Sequence, residues 1–230
     1  MVDEARLVAE ARRVYGRYAT EFIEAHRLCP WAERARAEGH TEERYLTFEQ
    51  ADEAAVEATL AAIDAMAQNP AVEVGLVIFP RLALGRPDYE RWVSRVRELD
   101  VARNRPGRAP FAMAAFHPDA EPHVDTAYRL VPFIRRAPDP LIQCIRVSIL
   151  DAMRKEEHGT NYIDPKGQDL MALFRAMQNK KPPLHERVAE TNLETLTALG
   201  LDRAGALLDD ILRDRDDAYA ALGVPRRRVG

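Results

Sequence analysis

Three stretches of the chain gather side chains that do chemistry. In "HRLCPW", His26 and Cys29 lie three residues apart at the end of a helical pattern, a spacing that turns both side chains the same way. An imidazole beside a thiol makes a thiolate nucleophile or half of a metal site; the other reading is a small apolar cysteine packed at a helix end. In "FHPDAEPHVD", His117 leaves a strand-like run, and Asp119, His123 and Asp125 follow within one loop. Rigid backbone at a strand end aims a side chain into a cleft. Such a set supplies a general base with an orienting acid, or ligands for zinc or iron, although Asp119 and His123 also suit a solvated loop.

The third stretch is "RRAPDPLIQCIR", with Arg135 and Arg136 before Asp139-Pro140 and Arg146 after it. The Asp-Pro pair reads as the N-cap and first residue of a helix whose stripe continues through Leu141, Ile142, Ile145, Ile149 and Met153. Free amides at that helix start, with arginines beside them, would hold a phosphate or carboxylate. Alternatively Asp139 satisfies the amides as a cap and the arginines pair with surface acids.

The elements that must position these residues follow from hydrophobic spacing. Leu7, Val8, Ala11, Val14, Tyr15, Tyr18 and Phe22 predict a helix from Asp3 to about His26. It ends before Pro30, because the residue preceding proline leaves the helical region. "ERYLTFEQ" alternates like a short strand, and "DEAAVEATLAAIDAMAQ" predicts a helix with acids at its start. "VEVGLVIFP" and "PFAMAAFHP" read as strands buried on both sides, with a helix between them through Tyr89, Trp92, Val93, Val96 and Leu99.

The expected fold is therefore α/β: a small, about three-stranded sheet with helices packed on it, and an α-helical C-terminal half. Ligands in such sheets collect beyond the carboxyl ends of the strands, where the proline-rich segment 116–140 begins. Further helical patterns fall near 168–178, 184–199 and 203–222, the last two closed by Gly200 and Gly223. The whole chain reads as one domain: a sheet-containing core over 1–154, a polar loop or lid over 155–183, and C-terminal helices over 184–222.

Composition excludes several classes. A net charge of −4 over 230 residues argues against binding to nucleic acid. No apolar run approaches the roughly 20 residues that span a bilayer, and the acidic N-terminus is unlike a signal peptide, so a cytoplasmic protein without membrane contact is expected. The two cysteines, Cys29 and Cys144, make neither a disulfide framework nor a zinc ribbon. Nucleotide-binding loops, the "GxSxG" elbow and "HExxH" are all absent.

"LCPWAERARAEG" after the first helix, "FHPD" at a strand end, "RRAPDPLIQCIRVSIL" and "ERVAETNLETLTALG" occur in this order. Together they resemble the bacterial domain of unknown function 1415 family over roughly residues 10–200. The resemblance singles out Cys29, Pro30, His117, Pro118, Arg136, Pro138, Pro140, Arg146 and Asn192. It implies no reaction. Gln143 stands where the family often has histidine and Ala137 where it has serine, which weakens any mechanism that uses either side chain.

The leading expectation is a small-molecule enzyme acting on a carboxylate or phosphate, with Cys29 and His117 catalytic and Arg135, Arg136, Arg146 and Asn192 holding the substrate. The first alternative is a protein binding zinc, iron or copper through His117, Cys29, His26 and His123. The second is a non-catalytic subunit of a complex.

Overall fold

A computed structural model describes residues 2–104, 108–120, 126–158 and 183–225. Its sheet has four strands, not three. In chain order β1 (Thr41–Tyr45), β2 (Val74–Ile78), β3 (Phe111–Phe116) and β4 (Leu141–Arg146) take the spatial order β1-β2-β4-β3. β1 runs parallel to β2, whereas β4 is antiparallel to both of its neighbours, pairing Gly75 with Cys144 and Phe116 with Leu141.

β4 overturns the helix expected from Asp139-Pro140. The extended conformation imposed on a residue before proline continues through "LIQCIR", and the helix α6 (Val147–His158) starts only afterwards. A short apolar run fits either period. Pairing partners settle it, since without β4 the inner edges of β2 and β3 would each lack a ladder. The same insertion corrects β3, which is an edge strand with Ala112 exposed rather than a strand buried on both faces.

Two crossover helices, α3 (Glu53–Gln68) and α4 (Arg86–Arg103), lie on the same face of the sheet. That is the arrangement right-handed crossovers require when successive strands advance in one direction. Their Val56, Leu60, Ile63, Tyr89, Val93 and Val96 pack on Val77, Ile142, Cys144 and Phe111. Gly75 is needed here, because a Cβ at that position would stand 2.7 Å from the Met66 sulfur.

The opposite face carries α1 (Glu4–Arg17), α5 (Ala127–Ile134), α7 (Leu184–Leu199) and α8 (Leu201–Ala221) around Val14, Tyr18, Phe22, Phe133, Leu196 and Leu208. α1 continues into a π-helical stretch, Tyr18–Glu24, that turns Tyr18, Ala19, Phe22 and Ile23 inward together. A short helix α2 (Ala32–Ala37) follows. Gly200, at φ +88°, takes the left-handed turn between α7 and α8.

Of the expected loop or lid, residues 155–158 belong to α6 and 159–182 lie outside the described residues, as do His123, Asp125 and the whole of the helical pattern at 168–178. No described helix is long and apolar enough to cross a membrane.

Candidate anion site at the end of β3

Folding distributes the residues singled out from the sequence among three places. The first is the turn after the π-helical stretch. Arg27 enters it at φ +52°, and Asn192, buried on α7, donates its amide to the Leu28 carbonyl at 3.0 Å. Asn192 thus holds the backbone just before Cys29 and has a structural use there. Cys29 packs on the α1/α5/α7 side of the sheet, and His26 contacts the Phe22 ring at 6.2 Å. Burial pushes the Cys29 thiol up, against a smaller opposing effect of the Trp31 and Ala32 amides. A nucleophilic cysteine needs the opposite shift.

The second place is the end of β3. His117 is 4% exposed, and its ring lies 5.4 Å from that of Tyr89 on α4. Its Nε2 is 2.9 Å from the Leu84 carbonyl, which can only accept, and its Nδ1 receives the Asp119 amide at 3.2 Å. Those partners suit a ring that carries its proton on Nε2, with the Asp119 carboxylate 3.7 Å from Nδ1. His117 therefore ties together the loops after β2 and β3 on the α3/α4 side. Cys29 is on the other face, so the sheet stands between thiol and imidazole.

Arg136 belongs to this end too. Its Nε donates to the Pro118 carbonyl at 3.0 Å, and it pairs with Asp209 of α8 at 2.9 Å. Beside it lies Asp139, whose carboxylate serves no helix start. Asp139 accepts from Arg215 at 3.0 and 2.9 Å and from the Tyr219 hydroxyl at 2.6 Å, all three buried. Arg215 also donates to the Pro80 carbonyl at 3.0 Å. The positive helix end expected as an anion site does not exist.

Arg146 marks the third place, the far end of β4, roughly 17 Å along the strand from Leu141. Its guanidinium donates to the carbonyls of Val72 at 2.6 Å and Asn69 at 2.7 Å and lies 4.8 Å from the Phe111 ring centre. It closes the C-terminal end of α3 instead of joining Arg136.

One arrangement at the second place had no signal in the sequence. The Arg135 carbonyl accepts from the His117 amide at 3.0 Å, and its guanidinium lies 5.7 Å over Phe116. Burial lowers the Arg135 pKa, and the charge of Arg97 lowers it further, while Tyr18 and Glu90 act in the opposite direction. Glu90 is engaged by Arg86 at 2.9 Å.

Arg97 is half-buried, with a buried Nε that has no partner. Neither the Arg97 nor the Arg135 guanidinium makes an ion pair or hydrogen bond among the described residues. Most other arginines here reach a carboxylate, as Arg13, Arg17, Arg34, Arg86 and Arg103 do. The hydroxyl of Tyr89, fully buried, also lacks a partner and feels the charge of Arg97. Sequence spacing places Tyr89 on the core stripe and gives no hint of an idle hydroxyl.

Among the described residues no group of three histidines, cysteines or carboxylates comes together to hold a metal. The family described as "Protein of unknown function (DUF1415)" matches residues 12–181. The chain belongs to that family. No curated protein and no solved structure matches it. Tyr89, Arg97 and Arg135 all fall within the DUF1415 stretch, whereas α7 and α8, with Arg215 and Tyr219, lie beyond it.

Proposed function

We propose that the chain binds a small anionic molecule, a carboxylate or a phosphate, between Arg97 and Arg135 at the end of β3, as the substrate of a small-molecule enzyme. The observation that carries this reading is two half-buried guanidiniums that reach no carboxylate among the described residues, Arg97 with a buried Nε that has no partner and Arg135 lying over Phe116. Like charges out of full solvent are unfavourable in the empty protein, and an anion between them reverses the sign of the interaction. Arginine is suited to the task, because its planar fork meets two oxygens of a carboxylate or phosphate at once. The position agrees with where ligands gather on α/β sheets, beyond the carboxyl ends of parallel strands.

Cys29 has no part in this reading. His117 enters it as a positioning residue that fixes the Arg135 backbone against Tyr89.

The test is calorimetric titration of the intact chain with inorganic phosphate and with acetate, repeated on Arg97→Gln and Arg135→Gln. At least one anion is expected to bind the parent protein, with affinity reduced about ten-fold or more in each variant. Absence of binding, or binding indifferent to both substitutions, overturns the proposal.

A further inference from the structure

We propose that two copies of the chain pair through the free edge of β3, joining their four-stranded sheets into one continuous sheet about a two-fold axis. Within an antiparallel sheet, alternate residues of a strand bond the neighbour on one side and then the other. The Val147 amide donates to the Pro110 carbonyl at 2.9 Å, and Ala112, Ala114 and Phe116 continue that series opposite Ile145, Gln143 and Leu141 of β4. Phe111, Met113 and Ala115 therefore turn their amides and carbonyls outward. His117, next in the outward series, donates to the Arg135 carbonyl at 3.0 Å, whereas the outward groups of Phe111, Met113 and Ala115 meet no partner among the described residues.

Exposed edges are normally protected from pairing by charge, proline or a bulge. The other edge of this sheet follows that rule, since β1 reads Thr-Glu-Glu-Arg-Tyr. β3 reads Phe-Ala-Met-Ala-Ala-Phe, with no charged residue, no proline and no break in its register. Ala112 is exposed, and Met113, Ala114 and Ala115 are half-buried.

The occupant is a second copy because β3 complements itself. An axis at Met113 sets Phe111 opposite the partner's Ala115 and Ala115 opposite the partner's Phe111, so all three outward residues fall at hydrogen-bonded positions. A large ring then meets a small side chain on one face. On the other, Ala112 meets the partner's Ala114 at the closer spacing of about 4.5 Å between Cα atoms. Charge is complementary at the ends. Arg108 precedes β3 and Asp119 follows it, their side chains 66% and 38% exposed. The antiparallel register carries each Arg108 to the Asp119 end of the other copy. Arg108 now pairs with Asp151 at 2.6 Å, an exposed contact of the kind that yields at little cost. An isologous interface uses both ends at once, which a foreign strand would do only by sharing this sequence pattern.

Sedimentation equilibrium of the intact chain from about 1 to about 100 µM is expected to show a dimer, with its dissociation constant inside or below that range. Ala115→Pro deletes an outward amide and no internal bond. The folded variant should be monomeric, or dissociate at least about ten-fold more readily. Should its circular dichroism show a lost fold, Ala112→Lys, at an exposed position, carries the same expectation. Arg108→Glu and Asp119→Arg should each weaken the dimer several-fold, and the chain carrying both should recover it, because the pairs are then reversed. A monomer throughout, or a dimer indifferent to the edge variants that fold, overturns the proposal. A double charge variant no better than the singles overturns the register centred on Met113.

Discussion

The Tyr219 hydroxyl donates to the Asp139 carboxylate at 2.6 Å, fastening the last helix to the turn that opens β4. Arg215 lies 4.0 Å over the Tyr219 ring and pairs with the same carboxylate, so a charge buried at 1% exposure keeps its counter-ion. Removing one partner strands the other. Arg215→Met is expected to destabilise the protein by about 3–5 kcal/mol and Tyr219→Phe by about 1–3 kcal/mol. Asp139→Leu combined with Arg215→Met should recover a large part of the first loss, because no lone charge remains. Urea unfolding of the three variants checks it; a double variant worse than the single one would sink the argument.

Asp139 also shows how far the sequence carries. The helices with strong 3.6-residue spacing are legible from their own residues: α1, α3, α4, α7 and α8 occur where the spacing puts them, and the acidic start of α3 and the Gly200 turn are as expected. β4 is not legible, because "LIQCIR" satisfies both periods and its partners lie in β2 and β3, far back in the chain. The candidate site divides in the same way. A strand end at His117 and a basic group at Arg135 and Arg136 follow from local pattern. That Arg136 is engaged while Arg135 is idle depends on Asp209, about seventy residues on, and on Arg97, a helix away.

Asp100, 2% exposed on α4, is bonded by its side chain to Asn104 at 3.1 Å. Burial raises its pKa, and the charge of Asp64 raises it further. Because ionisation is harder in the fold than in the unfolded chain, Asp100 favours folding while protonated. That advantage is lost as pH rises through the elevated folded-state value. Asp100→Asn keeps the shape and removes the ionisation. The variant is expected to be more stable than the parent at pH 7, with the difference shrinking on acidification. Thermal unfolding across pH reads it, and a variant less stable at pH 7 would count against this sign.

The contact between α1 and α8 has the opposite dependence. Asp214 accepts from Arg13 at 2.6 Å and from Arg17 at 2.8 Å, and these partners, Arg13 first, bring its pKa from 3.8 down to about 2. Its contribution is complete above the ordinary value and is lost as pH falls from about 3.8 toward about 2. The group is partly solvated, so Asp214→Asn should cost about 1 kcal/mol at pH 7. Near pH 2 parent and variant should converge. Equal stabilities at pH 7, or a gap that persists in acid, would refute the linkage.

Arg146 and Arg135 give the sharpest separation of structural from binding roles, because both were expected to hold substrate. Arg146 donates to the Val72 carbonyl and to the Asn69 carbonyl, which also accepts from the Val72 amide at 3.1 Å, just past the end of α3. Arg146→Met should therefore lower stability by about 1–3 kcal/mol and leave phosphate affinity unchanged. Arg135→Met should do the reverse: it loses no hydrogen bond or ion pair, and the methionine still covers the Phe116 ring, so the empty protein keeps its stability while phosphate binding weakens about ten-fold or more. Parallel calorimetry and urea unfolding on the two variants give four numbers. If Arg146→Met weakens binding as much as Arg135→Met does, the anion is held at the other end of β4 and the assignment to the end of β3 is wrong.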